Sequence, residues 1–299
     1  MKIIITGSLG HISKPLTELL VAKGHAVTVI SSKEERRGAI ESLGARAAIG
    51  SIGDTVFLTK TFSGADIVYL MEPPPNFFDP ATDTEQHWTG IARTYATAVE
   101  ASGVKKVVHL SSIGAHTTEG NGMLAAHHLV ENILRELPAQ VAIKFMRPVG
   151  FYYNMFAFIP TIKAQGLIIQ NYGGEEKEPW VSPADIAEVV AEEMEQPFDG
   201  RTVRYIASEE ISPNEVAKTL GEAIELPQLK WLTVSDEQFQ QGLIAAGFSE
   251  KNAAGLTGMN AGRRHQLYDD YRLHQPTLGK IKLTDFAKEF AAVYHQQST

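Results

Sequence analysis

The chain has 299 residues, 43% of them apolar and 21% charged, with a net charge of -8 and no cysteine. That length accommodates one large α/β domain, or a nucleotide domain with a smaller appendage, and the missing cysteine excludes disulfides, zinc–thiolate centres and a cysteine nucleophile. Scattered Lys and Arg on an acidic chain argue against nucleic acid as a ligand, and no apolar run reaches the roughly eighteen residues needed to span a bilayer. The protein is therefore expected in the cytoplasm with a small-molecule partner; a homodimer stays open.

Taken in chain order, short apolar runs at 2–6, 26–30, 45–49, 66–71, 107–110 and 141–146 read as strands, and helical patterns separate them. Continuous apolar strands joined by long crossovers imply a parallel sheet covered on both faces. The fold class is thus α/β, a doubly wound parallel sheet of the Rossmann kind. Residues 1–150 are expected to form the dinucleotide-binding domain, and 151–299 a mainly helical substrate lobe interleaved with it. Two helix starts in the second half share one signal, Ser182-Pro183-Ala184-Asp185 and Ser212-Pro213-Asn214-Glu215, and Ser235 with Gln238 gives a third. Each is a hydroxyl cap followed three residues later by an acid or amide.

The first strand runs into Thr6-Gly7-Ser8-Leu9-Gly10-His11-Ile12-Ser13, and a helix follows at once. Free amides at a helix start favour an anion. Gly7 permits the tight turn and Gly10 a close backbone approach, while Ser13 stands where a dinucleotide motif would usually have a third glycine. Thr6, Gly7, Ser8, Gly10, His11 and Ile12 are accordingly expected to border a diphosphate; the plain alternative is a glycine turn that lets a helix pack.

The second strand ends in Ile30-Ser31-Ser32-Lys33 without the acid that grips a free ribose in NAD sites. Ser31, Ser32 and Lys33, with Arg36 or Arg37 as reinforcement, suit a 2′-phosphate, so NADP(H) is favoured over NAD(H). Ser32 can also be read as a helix cap with Glu35 as its partner. Further along, Met71 and Glu72 lead into Pro73-Pro74-Pro75, a rigid loop beside the cofactor, with Pro73 facing the substrate. Ser111 and Ser112 follow strand five at the sheet edge where ligands bind. The stretch Phe151-Tyr152-Tyr153-Asn154 reads as a wall for a flat acceptor or as core between lobes. Arg263, Arg264, Asp269 and Asp270 read as a solvated charged surface.

These motifs, together with Leu110-Ser111-Ser112-Ile113-Gly114-Ala115, Ala126-His127-His128-Leu129-Val130-Glu131 and Met146-Arg147-Pro148-Val149-Gly150-Phe151-Tyr152, resemble the NmrA-like branch of the atypical short-chain dehydrogenases over nearly the whole chain. Within it, the pattern looks most like the NADPH-dependent quinone oxidoreductases and triphenylmethane reductases. The resemblance implies a cofactor lying across the strand ends, its nicotinamide near Ser111, Pro148, Gly150 and Phe151. It also implies a departure. Counting back from Glu131 places His127 where the short-chain family carries its lysine and Met123 where it carries its tyrosine, so that proton-handling pair is missing. His127 or His128 is then the candidate proton donor, with Ser112 beside them, and no ligand spacing points to a metal. The expected activity is NAD(P)H-dependent transfer of hydride to a planar electrophilic acceptor such as a quinone. The alternative is an NADP-binding redox-sensing regulator without turnover.

Overall fold

The structure is a computed structural model that describes residues 1–79, 81–265 and 267–296. Its strands are β1 (Lys2–Ile5), β2 (Ala26–Ser31), β3 (Arg46–Ile49), β4 (Ile67–Leu70), β5 (Lys106–Leu110), β6 (Ala142–Pro148), β7 (Gly150–Phe151), β8 (Leu167–Gln170), β9 (Glu178–Val181), β10 (Arg201–Ile206), β11 (Glu209–Ile211) and β12 (Lys230–Thr233). The helices are α1 (Ser13–Ala22), α2 (Arg37–Ser42), α3 (Thr55–Phe62), α4 (Thr84–Ser102), α5 (Ala125–Arg135), α6 (Ile159–Gln165), α7 (Pro183–Glu195), α8 (Pro213–Ala223), α9 (Asp236–Ala245), α10 (Glu250–Arg263), α11 (Asp269–His274) and α12 (Leu283–Gln296).

Seven strands form one parallel sheet in the order β10-β6-β5-β4-β1-β2-β3. All six expected strands are in it, as the doubly wound reading requires. The seventh, β10, pairs with β6 from Arg201 beside Ile143 to Ile206 beside Pro148. Its sequence RTVRYI interleaves polar and apolar residues, because an edge strand is not buried on both faces, and so it lacks the continuous apolar signal. Strand order reverses at β1, which lies between β2 and β4. Chain crossing to opposite sides at that point opens a crevice beyond the carboxyl ends of β1 and β4.

Both faces of the sheet are covered. Leu16 and Leu20 of α1 with Val190 and Met194 of α7 close one face, and Leu58, Phe62, Ala92, Tyr95, Val130 and Leu134 from α3, α4 and α5 close the other. A third core holds the later helices together, with Met155, Trp180, Trp231, Phe286 and Phe290 among its members. Two small sheets, β11-β9-β7 and β12-β8, support that lobe.

The helix starts divide by what else their acids contact. Ser212 with Glu215 and Ser235 with Gln238 form complete reciprocal caps. Ser182 caps α7 through the Ala184 amide alone. Asp185 instead accepts hydrogen bonds from the Ser208 hydroxyl and from the Lys280 and Ile281 amides, because a buried carboxylate is drawn to the donors of a returning chain. Ser32 caps nothing: a short 3₁₀ turn at Glu34–Arg36 precedes α2 and starts from Lys33 without a side-chain cap.

Candidate functional site

The turn after β1 is built for a close backbone approach. Gly7 has φ +87°, and a Cβ there would stand 2.5 Å from Ser13 Oγ and 3.1 Å from the Met71 side chain. Only glycine meets both conditions. Ser8 follows with φ 53°, a costly conformation for a residue with a side chain. It is held by its amide, which donates to the Ile30 carbonyl at 3.2 Å, and by its hydroxyl, which donates to Ser31 Oγ at 3.0 Å. Ser13 is buried and donates to the Thr6 carbonyl at 3.0 Å, so it fills the third small position without blocking the turn. No side chain caps α1; the Lys14 amide donates to the Gly10 carbonyl at 3.0 Å and Pro15 has no N–H, so among the described residues the amides of His11, Ile12 and Ser13 are the ones that keep their capacity for an anion. A dinucleotide diphosphate fits this arrangement.

Thr6 joins the two lips of the crevice. Its hydroxyl donates to the Tyr69 carbonyl at 3.1 Å and accepts from the Met71 amide at 2.9 Å. At the end of β2, buried Ser31 accepts the Lys33 amide at 3.3 Å, while Ser32 and Lys33 lie at the surface. Arg37 is tied to Glu34 by contacts of 2.6 and 3.0 Å. Among the described residues Lys33 and Arg36 have no acidic partner, which leaves them as the cations able to meet a 2′-phosphate.

Several expected site residues turn elsewhere. Glu72 is buried and its Oε2 lies 3.0 Å from His109 Nε2, so its carboxylate faces the interior of the fold. The Pro73 carbonyl accepts the Trp88 indole at 3.0 Å. Ser111 donates to Glu131 at 2.6 Å, and Glu131 also accepts Nε and Nη2 of Arg147, each at 2.8 Å. Ser112 is half-buried beside it. Tyr152 leaves the cleft, stacking on Phe286 in the lobe core and donating to Glu209 at 3.1 Å. Tyr153 instead stacks on His11 of the glycine turn, with ring centroids 4.8 Å apart, and Phe151 lies 5.2 Å from it. Asn154 is exposed, Pro148 is buried at the end of β6, and Gly150 packs between Arg263 and Trp180.

The paired histidines part company. His127 packs its ring 4.5 Å from Trp88, its Nδ1 buried without a partner, and burial pushes its imidazole down to about 4. A neutral His127 at physiological pH is a poor direct acid. His128 Nδ1 meets the Ala115 carbonyl at 2.9 Å, and the ring lines a polar cavity of about 310 Å³ with His116, Arg147, Asp270 and His274. Met123, at the tyrosine place, lies under α10: a Cβ on Gly255 would stand 3.3 Å from Met123 Cβ, and one on Gly122 only 2.2 Å from the Met259 amide. The backbone of α10 therefore seals this loop.

The charged surface expected around Arg263 and Asp270 is partly interior. Arg263, its side chain only 10% exposed, reaches Glu178 at 2.6 Å and lies over the Tyr172 and Trp180 rings. Asp270 accepts from Arg147 at 3.1 Å and from Tyr205 at 2.6 Å. The missed signal was His109 and Arg147 themselves, polar residues inside otherwise apolar strands, where burial demands a partner.

A family model described as NAD(P)H-binding matches residues 7–197. A ketoreductase of Stigmatella aurantiaca acting on 4-hydroxy-2-methyl-3-oxo-4-farnesyl-3,4-dihydroquinoline-1-oxide is 25% identical over 114 residues, 38% of this chain and 34% of its own length. In structure, the NADPH-dependent quinone oxidoreductase QOR2 of Escherichia coli is similar with TM-score 0.77 at 19% identity, covering 96% of this chain and 99% of that one. The triphenylmethane reductase of Citrobacter sp. also has TM-score 0.77 at 19% identity, covering 98% and 100%. At such identities the likeness is one of fold. The family match covers the glycine turn, the crevice and α7, and the chain belongs to the NAD(P)H-binding family.

Proposed function

We propose that this protein is an NADPH-dependent reductase that passes hydride to a planar electrophilic acceptor such as a quinone. The observation that carries this reading is the pairing of a diphosphate-ready turn at Gly7 with Met123 and His127 at the tyrosine and lysine places. Alcohol and sugar chemistry needs that acid–base pair, whereas an electron-poor acceptor takes hydride without prior protonation. The quinone oxidoreductase named above supports the same direction.

In this reading the amides of His11 and Ile12 hold the diphosphate, and Lys33 with Arg36 hold the 2′-phosphate. The dihydronicotinamide supplies the hydride when bound. Tyr153 and Phe151 form an aromatic wall against His11 and orient a flat ring by stacking, with Asn154 and Pro73 at its margins. The acceptor lies between the dinucleotide-binding part, residues 1–150, and the lobe formed by 151–299. Orientation and exclusion of water are then the protein's contribution.

The test measures NADPH and NADH binding by calorimetry and, on the same preparation, loss of dihydronicotinamide absorbance with a panel of quinones. Tight NADPH binding with turnover is expected. Tight binding without turnover on any acceptor would overturn the reductase and leave a cofactor-binding regulator.

A further inference from the structure

The loops that leave the carboxyl ends of β4, β5 and β6 are all fastened to one helix of the later lobe, α10. These three strands are neighbours in the sheet, so their ends span about 10 Å, whereas α10 with its 14 residues is about 21 Å long. One helix can therefore cross all three. At its start, Asn252 donates its side-chain amide to the Phe77 carbonyl at 3.0 Å and accepts the Thr84 hydroxyl at 3.3 Å. In its middle the helix backbone presses on the turn after β5: a Cβ on Gly122 would stand 2.3 Å from the Gly255 carbonyl oxygen, and one on Gly262 2.5 Å from that of Gly120. At its end, Arg263 lies against Gly150 and holds Glu178.

The fastenings differ in strength. Backbone packed on backbone at Gly122 leaves the turn after β5 no slack. The loop after β4 hangs on side chains instead. Lys251 and Asp83 meet at 2.5 Å, but both are solvent-exposed, and such a pair contributes little. Phe78 lies 4.7 Å from Phe248 yet is 58% exposed, so most of its ring still meets water. Asn252 is 3% exposed and both ends of its amide are bonded, so its loss leaves the Phe77 carbonyl and the buried Thr84 hydroxyl without that partner. Asn252 is thus the group that fixes the outer end of this loop.

The loop carries that position to the cleft. It begins at Met71, whose amide is bonded to Thr6 and whose side chain stands beside Gly7. Between Met71 and Phe77, the run Pro73-Pro74-Pro75 fixes φ and makes the connection stiff, and Trp88 holds the Pro73 carbonyl. The loop is therefore a wall running from the crevice up to α10. The opposite wall, Phe151 and Tyr153, follows Gly150 beneath the other end of the same helix.

We propose that α10 is a fixed roof over the acceptor site and that Asn252 is a positioning residue which, by holding the loop after β4 to that roof, sets the width of the slot and selects flat acceptors by the size of their ring system. This rests on the reductase reading and adds to it the residue that governs acceptor size.

Asn252→Asp tests the proposal, since it keeps the side-chain shape and turns the donor that faces the Phe77 carbonyl into a second acceptor. Amide hydrogen exchange should quicken at residues 76–79, while NADPH affinity stays within about twofold because the glycine turn and the end of β2 are untouched. KM for benzoquinone should rise about fivefold, as for one lost hydrogen bond, with kcat nearly unchanged. The ratio of kcat/KM for anthraquinone to that for benzoquinone should rise as the slot widens. Loss of folded protein would lower every acceptor alike and leave that ratio where it was, so the ratio separates positioning from stability. Phe78→Ala, at an exposed position, should move exchange and ratio in the same direction and serves if Asn252→Asp fails to fold. Unchanged exchange in a folded Asn252→Asp protein overturns the clamp, and faster exchange with an unchanged ratio overturns its role in selecting acceptors. Wild-type protein that binds NADPH but reduces nothing overturns the reductase reading and acceptor selection together, and the exchange measurement then judges the clamp alone.

Discussion

Ser13 and Thr6 are joined by a 3.0 Å hydrogen bond from the Ser13 hydroxyl to the Thr6 carbonyl, so the third small residue of the glycine turn is bonded to the end of the strand that precedes it. Ser13 Oγ also fills the space into which a Gly7 side chain would point. Gly7→Ala combines a left-handed φ with a direct clash. It is expected to abolish NADPH binding and lower the melting temperature. Ser13→Gly should keep binding and cost about 1 kcal/mol, the worth of one hydrogen bond. Calorimetry and thermal unfolding of both variants check this, and a Gly7→Ala protein that still binds NADPH would refute the role given to the turn.

The cofactor preference depends on which cations at the end of β2 are free. Arg37 is held by Glu34, and Lys33 and Arg36 are exposed without acidic partners among the described residues. Lys33→Ala and Arg36→Ala should each weaken NADPH binding several-fold at low salt and much less at high salt, with NADH unaffected, as charge-assisted phosphate contacts require. Arg37→Ala should change neither. Equal losses for both nucleotides would place the 2′-phosphate elsewhere.

Glu131 is the hinge of a buried network. Burial alone would raise its carboxyl, but the hydrogen bonds and charge of Arg147 and the Ser111 hydroxyl hold it below the ordinary carboxylate value of 4.5. Because the folded value is depressed, the unfolded chain takes up a proton first as pH falls. The stability Glu131 provides is therefore complete well above pH 4.5 and is lost as acid approaches the folded value. Glu131→Gln removes the paired carboxylate contact of Arg147 but leaves it the one to Asp270 at 3.1 Å, and should cost about 2–3 kcal/mol at pH 7. The gap from wild type should close in acid, as chemical denaturation at pH 7 and pH 3.5 will show.

Much of this was legible from the chain, and the reasons are specific. The five inner strands announce themselves because burial on both faces makes them largely apolar, the edge strand β3 shows through Ala47, Ala48 and Ile49, and Ser212 with Glu215 marks a helix start because both halves of that cap are local. β10, at the other edge, was hidden because polar residues alternate along it. Asp185 was misread as a local cap, and the sequence left Tyr152 open between acceptor wall and core, because their partners, Ser208 and Glu209, are distant in sequence and no periodicity reports a long-range hydrogen bond. The Glu72–His109 pair was visible only as a histidine within an apolar strand, a signal that names a need without naming the group that meets it.

Arg263 shows how strongly that need acts. It sits over the Tyr172 ring at 4.5 Å and the Trp180 ring at 5.1 Å while holding Glu178 at 2.6 Å, and Glu178 is raised above its ordinary value mainly by burial, with Arg263 opposing that rise. Arg263→Met keeps the apolar volume and removes the cation that opposes the rise at Glu178. The loss should be about 3–5 kcal/mol at pH 7. Without its partner the Glu178 value rises further, so the cost of its charge is present above that value and disappears as pH falls below it. Arg263→Met should accordingly recover part of its melting temperature between pH 7 and pH 5, and adding Glu178→Gln should recover it at pH 7. If the double variant were no more stable than the single one at neutral pH, the penalty would have to come from lost ring stacking instead of from an unpaired carboxylate.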